Sequence, residues 1–128
     1  MEIKIEAGQI FRKVQEEFTK YFPYLRIEMV SKGYVSEDIF LTKYYGHSKE
    51  ERHTKMADDN PFILLTDNTT VKDLRYQFKE LFNVSVKVQR KSDGHWVETT
   101  LTEHWTLTKQ NIEGKSLASF DFRQLKGD

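Results

Sequence analysis

One pattern of apolar residues occurs twice in this chain, and it limits the possible folds more than any other feature. Residues 3–29 and 63–88 align at a constant offset of 60 (78 − 18 = 60), which becomes 59 after one residue is lost late in the repeat. The matched apolar positions are Ile3, Ile5, Phe11, Val14, Phe18, Phe22, Leu25, Ile27 and Met29 in the first copy, and Ile63, Leu65, Val71, Leu74, Phe78, Phe82, Val84, Val86 and Val88 in the second. Both copies pass from strand spacing to helical spacing and back. The sequence therefore predicts two β-α-β units, at about 2–30 and 62–90.

Residues at the ends of the predicted helices support these boundaries. Pro23 follows the first helix and cannot continue its hydrogen-bond ladder. Before the second helix, Thr70 is a good N-cap, and Asp73 three residues later completes a variant of the capping box. Asn83 suits the left-handed conformation that often ends a helix. The second predicted helix thus has a chemically defined start and end, and the first has a defined end.

The chain beyond the second unit predicts a hairpin and a short helix. Asp93-Gly94 is a tight-turn sequence in which Gly94 takes a positive φ. The returning strand is His95–Thr100, which is rich in Trp, Val and Thr. Thr106 can cap a last helix that ends near Gly114, while residues 115–128 form a tail with no clear pattern.

Two such units predict an α+β ferredoxin-like sandwich, in which one sheet carries both helices on one face, with the hairpin strand and the short helix added at the end. Phe18 and Phe78 would then be buried against the common sheet. The alternative is a β-grasp-like fold, in which Ile39–Tyr45 pairs as a hairpin with Phe62–Leu65. Parallel crossovers would be right-handed in either fold.

Length and composition narrow the class of protein. A chain of 128 residues predicts a single domain, 1–128, in which residues 47–60 hold almost nothing to bury and form a mobile connection. Its 20 basic and 20 acidic residues cancel, so no general attraction to nucleic acid or membranes is expected. No apolar run approaches the roughly 18 residues of a membrane span, and the charged N-terminus is unlike a signal peptide. We therefore expect a cytoplasmic protein without a membrane partner.

The sequence holds no recognisable catalytic or metal-binding motif. It has no Cys, and the spacings of His47, His53, His95 and His104 do not match those of a zinc site. No glycine-rich phosphate loop and no nucleophile elbow is present. We predict a non-enzymatic protein without a cofactor. An enzyme or ligand-sensing domain with a cleft between sheet and helices is a less favoured third class.

The most distinctive surface prediction lies in the hairpin. Lys87, Arg90, Lys91 and Trp96 form a candidate binding face, since cations beside an aromatic ring can hold single-stranded nucleic acid by phosphate contacts and stacking. The competing interpretation is an ordinary solvated sheet face, with Trp96 and Trp105 packed at the edge of the core. We favour the latter and predict a small interaction or regulatory module that associates with itself or another protein. A nucleic-acid accessory protein is the alternative.

The stretch VKVQRKSDGHWVETTLTEHWTLTKQNIEG, with TTVKDLRYQFKELFNVSV before it, resembles a family of short uncharacterised bacterial proteins. The shared pattern is a strand–Arg-Lys-Ser-x-Gly–Trp hairpin followed by Glu-Thr-Thr and Trp-Thr-Leu…Gln-Asn elements. The resemblance covers most of residues 3–114. It implies a shared fold and brings no activity with it.

Overall fold

The computed structural model describes residues 1–30, 38–44 and 61–116, and within them an α+β fold. The strands and helices, in chain order, are β1 (Glu2–Glu6), α1 (Phe11–Tyr21), β2 (Leu25–Met29), β3 (Phe62–Thr66), α2 (Val71–Phe82), β4 (Val86–Ser92), β5 (His95–Glu98), a 3-10 turn (Thr100–Thr102) and α3 (107–116). The predicted connection 47–60 and the tail beyond 116 lie outside the described residues.

The described strands form two antiparallel sheets, so the prediction of one ferredoxin-like sheet is wrong. β1 pairs with β3 in a two-stranded ribbon, while β2, β4 and β5 form a three-stranded sheet in that order. The β-grasp-like alternative is also wrong, because β3 pairs with β1 and the described part of Ile39–Tyr45 does not pair with Phe62–Leu65. Its β-bridge, from Phe40, is to Ile10. Apolar spacing identifies strands, but it does not specify which strands pair or in which direction.

In the ribbon, each strand pairs with its own counterpart from the other copy. Ile3 lies opposite Leu65 and Ile5 lies opposite Ile63. In the repeat Ile3 corresponds to Ile63 and Ile5 to Leu65, so exchanging the two copies maps this ladder onto itself. The centre of the exchange is the Lys4–Leu64 pair. The ribbon therefore has a pseudo-two-fold relation between its strands.

The ladder between β2 and β4 has the same property. Ile27 lies opposite Val88 and Met29 opposite Val86, whereas the repeat matches Ile27 to Val86 and Met29 to Val88. Here the centre is the Glu28–Lys87 pair. We call the described residues up to 44 unit 1 and residues 61–116 unit 2. The two units meet through these two self-complementary ladders.

A third pair of equivalent contacts follows the repeat, and the sequence did not reveal it. In unit 1 the Leu41 N–H donates to the Gln9 carbonyl at 2.8 Å, and in unit 2 the Leu107 N–H donates to the Thr69 carbonyl at 2.8 Å. Gln9 and Thr69 are 60 residues apart, as the repeat requires, and both leucines are fully buried. Each unit is thus closed by a short segment that passes its helix N-terminus.

Both units supply the single core that lies between the sheets and helices. The repeat residues are buried except for Met29 and Val84, which are partly buried. Phe18 and Phe78 are both fully buried, as predicted, and the Phe78 ring meets Phe11 of the other helix edge-on at 6.2 Å. Burial of this apolar surface is the main force that holds the units together.

The predicted start and end of α2 and the predicted start of α3 are confirmed. The Asp73 N–H donates to Thr70 Oγ1 at 3.0 Å and the Thr70 N–H donates to Asp73 Oδ2 at 3.4 Å, which is a complete capping box. Asn83 ends α2 in the left-handed conformation, with φ 53°. Thr106 caps α3, since its Oγ1 accepts from the Lys109 N–H at 3.1 Å.

The helix α3 continues past Gly114, where the sequence predicted its end. Gly114 is buried inside the helix because α3 lies directly on Tyr24. A Cβ at position 114 would stand 2.9 Å from the Cβ of Tyr24. The Tyr24 N–H also donates to Asn111 Oδ1 at 2.9 Å, which fixes α3 against the start of β2. The glycine therefore permits close packing between two segments.

Candidate interaction surfaces

Strand alternation gives the three-stranded sheet one polar face. The hairpin turn is as predicted, with Asp93 at φ 49° and Gly94 at φ 75°, and it places β5 beside β4. Residues directly opposite in a ladder share a face, and so do alternate residues along a strand. We define the outer sheet face by the side chains that result: Arg26, Glu28, Lys87, Gln89, Lys91, Trp96 and Glu98.

A hydrogen-bond network covers the middle of the outer sheet face. Arg26 Nε donates to Gln89 Oε1 at 2.7 Å, and Gln89 Nε2 donates to Glu98 Oε1 at 2.9 Å. Both carboxylates on the face have a cationic neighbour, since Arg26 Nε lies 3.2 Å from Glu28 and Lys87 Nζ lies 3.3 Å from Glu98. Gln89 is only 8% exposed as a result. The centre of this face is packed by its own side chains.

Two of the predicted binding residues, Lys91 and Trp96, do come together. They lie opposite each other in the ladder, with Lys91 Nζ 5.0 Å from the centroid of the half-buried indole. Arg26, which the sequence-based prediction omitted, lies closer, with its guanidinium carbon 4.7 Å from the same centroid. The alternation of apolar and charged residues in Leu25–Met29 is enough to predict that Arg26 faces solvent. Its contact with Trp96 depends on the register of β2 against β4, which the sequence does not show. Cation–π contacts of this kind contribute about 0.5–1 kcal/mol each at exposed sites.

The structure places Arg90 on the opposite face, so its grouping with Lys87, Lys91 and Trp96 is wrong. Arg90 lies opposite the buried Leu25 in the ladder and points beneath α3. Its Nη1 donates to Gln110 Oε1 at 2.9 Å, and its guanidinium lies 5.6 Å from the Trp105 ring centroid. The Nε of Arg90 is buried without a hydrogen-bond partner. Arg90 therefore joins α3 to β4 and does not share a face with Lys87, Lys91 and Trp96.

Gln110 is the residue that makes this docking specific, and sequence reasoning missed it. It is fully buried, and its Nε2 donates to both the carbonyl and the hydroxyl of Thr102, each at 2.8 Å. With Arg90 donating to its Oε1, the amide joins β4, the 3-10 turn and α3. A polar residue in a helix usually faces solvent, so no local signal marked this position.

The outward side of the β1–β3 ribbon is a second candidate surface. Ile3, Ile5, Ile63 and Leu65 face the core, and alternation places their neighbours outward. We define the ribbon face by these outward residues: Glu2, Lys4, Glu6, Phe62, Leu64 and Thr66. Phe62 is 45% exposed and Leu64 is 38% exposed. Lys4 Nζ stands 4.4 Å from the Phe62 ring centroid and 3.1 Å from Glu6, so the apolar strand has a charged strand beside it.

A shallow groove runs between α2 and the start of β4. It has a volume of about 400 Å³, and Lys72, Arg75 and Lys79 line it together with Tyr76 and Glu103. Arg75 donates to Glu103 at 2.7 Å, which neutralises one of the three cations. The carboxylate of Glu80 accepts a hydrogen bond from the exposed Tyr76 hydroxyl and thereby raises the pKa of Tyr76 above its ordinary value of 10.0.

Metal-binding side chains are not grouped in the described part of the chain. His95 and His104 are exposed there, and no three His, Cys, Asp or Glu residues within residues 1–30, 38–44 and 61–116 are placed to hold an ion. His47 and His53 lie outside the described residues. None of the helices in those ranges combines the length and the apolar character that crossing a membrane requires.

Comparison with known proteins gives no further guide to function. No protein-family model, no curated protein and no solved structure matches this chain. The resemblance to short bacterial proteins therefore stays a prediction.

Proposed function

We propose that the protein is a small, non-enzymatic interaction module that associates with a second copy of itself through the ribbon face. The observation that supports this most directly is the exposure of Phe62 and Leu64 side by side on a two-stranded ribbon. Neither β1 nor β3 pairs with a further strand within the described residues. Exposed apolar residues on a sheet with open edges are a common means of association.

The arrangement of the ribbon face suits a symmetric contact. Apolar Phe62 and Leu64 lie on β3, and the charged Glu2, Lys4 and Glu6 lie on β1. In a two-fold contact, β3 of one copy would pack against β3 of the other, and the β1 charges would lie at the solvated rim. An apolar centre with a polar rim is the usual organisation of such interfaces.

Sedimentation velocity of the wild type and a charge variant tests this proposal. We expect the wild type to sediment as a dimer at tens of micromolar, and the double variant Phe62→Lys, Leu64→Lys to sediment as a monomer with unchanged circular dichroism. Leu101→Lys is the matched control, because Leu101 is 94% exposed and belongs to the 3-10 turn, not to a strand of the ribbon. A wild type that stays monomeric at this concentration would overturn the proposal. So would a charge variant that dimerises equally well.

A nucleic-acid accessory role is the second candidate, supported by the position of Arg26 and Lys91 against Trp96. The outer sheet face carries three cations and two carboxylates, a net charge of +1 (3 − 2 = 1). We rank this role lower because both carboxylates lie within 3.3 Å of a cation and thus offset part of the positive field. Fluorescence titration with a single-stranded oligonucleotide at low salt tests it, and binding should weaken as salt rises. An unchanged Trp signal would remove it.

A further inference from the structure

The contact between the two units has the features of an interface between two molecules. Among the described strands, β1 pairs only with β3 and β2 pairs only with β4, so every ladder of unit 1 is made with unit 2. The core is shared in the same way, since Phe11 of α1 meets Phe78 of α2. Unit 1 alone would expose most of its apolar face and the backbone groups of both its strands. Unit 1 therefore depends on unit 2 for its stability.

The two units are also complementary to one another in a symmetric manner. Both ladders map onto themselves when the units are exchanged, with centres at Lys4–Leu64 and Glu28–Lys87. This is the relation between the subunits of a two-fold dimer, in which the same surface is used twice. All of these contacts are non-covalent, so they can form between two units of one chain or between units of two different chains.

The chain between the units is long enough to permit exchange. Unit 1 ends at Tyr44 and unit 2 begins at Pro61, which leaves sixteen residues between them (61 − 44 − 1 = 16). Sixteen residues can span at most about 53–58 Å, whereas a folded domain of this size is about 35 Å across. The connection can therefore reach a neighbouring molecule.

We propose that the interface between the units accepts a second copy of this chain, so that unit 1 of each molecule can pair with unit 2 of the other. The partner is a second copy of the chain, as in the proposed function. The contacts are different, because exchange uses the ladders between unit 1 and unit 2 and not the ribbon face. A single chain holds its own units at an effective concentration in the millimolar range, which at micromolar protein favours pairing between the two units of one chain. Exchange between chains can then be detected when pairing between the two units of one chain is prevented.

Complementation between two full-length variants tests the exchange. Phe18→Asp damages unit 1 and Phe78→Asp damages unit 2, because each places a carboxylate at a fully buried position. Each variant alone should be unfolded. After joint refolding, an exchanged pair contains one intact unit 1 with one intact unit 2, so the mixture should regain up to half of the wild-type circular dichroism and sediment partly as a dimer. Phe18→Asp mixed with Val14→Asp is the matched control, since both changes lie in unit 1 and no intact unit 1 is available.

Cysteine pairing gives a second readout that does not depend on damaged cores. The chain has no Cys, so Glu28→Cys in one chain and Lys87→Cys in another can form a disulfide only between chains. These positions lie opposite each other between β2 and β4, at the separation of directly paired residues, which suits a disulfide. Joint refolding under oxidising conditions should give a crosslinked heterodimer. A mixture of Glu28→Cys and Glu17→Cys should not, because both cysteines then lie in unit 1 and neither is the ladder partner of the other.

Either a recovered mixed pair or a crosslink above its control supports exchange, even where the damaged variants precipitate. The proposal is overturned if the mixed pair stays as unfolded as its members and the cysteine pair crosslinks no more than its control. Neither result bears on Phe62 and Leu64, so failure here leaves the proposed dimer through the ribbon face intact. A monomeric wild type with a positive complementation result would instead overturn the ribbon contact alone.

Discussion

Replacing Gly114 by Ala should destabilise the protein, although helix propensity alone predicts the reverse. An Ala inside a helix is normally more stable than a Gly by about 1 kcal/mol. At this site the added Cβ would lie 2.9 Å from Tyr24 Cβ, 3.1 Å from Arg90 Cγ and 3.2 Å from the Tyr24 carbonyl oxygen. None of these is the free end of a flexible side chain, so α3 must move away. Overpacking of this kind costs about 1–3 kcal/mol. After subtracting the propensity gain of about 1 kcal/mol, we expect a net loss of about 1 kcal/mol, within a range of about 0–2 kcal/mol.

Urea denaturation followed by circular dichroism measures this difference, with a thermal melt as a second assay. For a domain of this size the melting temperature should fall by roughly 4 °C per kcal/mol. Lys115→Gly is the matched control, because position 115 is exposed in the same helix and reports propensity alone; it should cost about 1 kcal/mol. A Gly114→Ala variant that is more stable than the wild type, by the full propensity gain of about 1 kcal/mol, would refute the close packing of α3 on Tyr24.

Three further changes test other parts of the fold. Phe18→Ala and Phe78→Ala should each cost about 3–5 kcal/mol in urea denaturation, because both rings are fully buried. Gly94→Val should cost about 1–3 kcal/mol, because a branched side chain is strained at φ 75°. Glu80→Gln should lower the pKa of Tyr76 towards 10.0 in an alkaline absorbance titration. The Glu80 contact favours the neutral phenol, so its stabilising effect is present below pH 10 and is lost as the pH rises through the raised pKa.

Matched variants separate these effects from general damage. Glu17→Ala and Lys79→Ala, each next to one of the buried rings but exposed, should change stability by less than about 0.5 kcal/mol. Lys87→Ala with Lys91→Ala should cost less than about 1 kcal/mol, since it removes one exposed ion pair and one cation–π contact. A loss as large as that of Gly94→Val would mean that the outer sheet face is covered. An unchanged titration of Tyr76 would contradict its bond to Glu80.

The repeat in the sequence predicted which residues are buried and where the units lie. Apolar residues at alternate positions indicate that one face of a strand is buried. Ile3 and Ile5 of β1 and Ile63 and Leu65 of β3 follow this pattern, and all four are buried in the structure. Turn and cap residues were equally informative, since Thr70, Asn83 and Gly94 take the conformations that their chemistry favours. These features are local, and a single chain segment is enough to specify them.

Pairing between distant segments was not predictable in the same way. Nothing in the spacing of β1 shows that it pairs antiparallel with β3, so the single-sheet prediction failed. The charge of Arg90 favours a solvated position. Its place in β4 favours the buried face, because alternate residues of a strand share a face and Val86 and Val88 are buried. Its actual environment is created by Gln110 and Trp105, which arrive with α3. Both errors concern contacts that depend on another part of the chain.

The pairing of each strand with its distant counterpart also determines the order of events during synthesis. Ile3 pairs with Leu65, 62 residues later (65 − 3 = 62), while the β4–β5 hairpin is the one local ladder among the described strands. At about 5–20 residues per second, a ribosome needs roughly 3–12 s to deliver β3 after β1. During that interval β1 has no strand to pair with, and the apolar side of unit 1 has no partner to cover it. Early folding is therefore restricted to helices, and the slow step is the arrival of the second half of the chain.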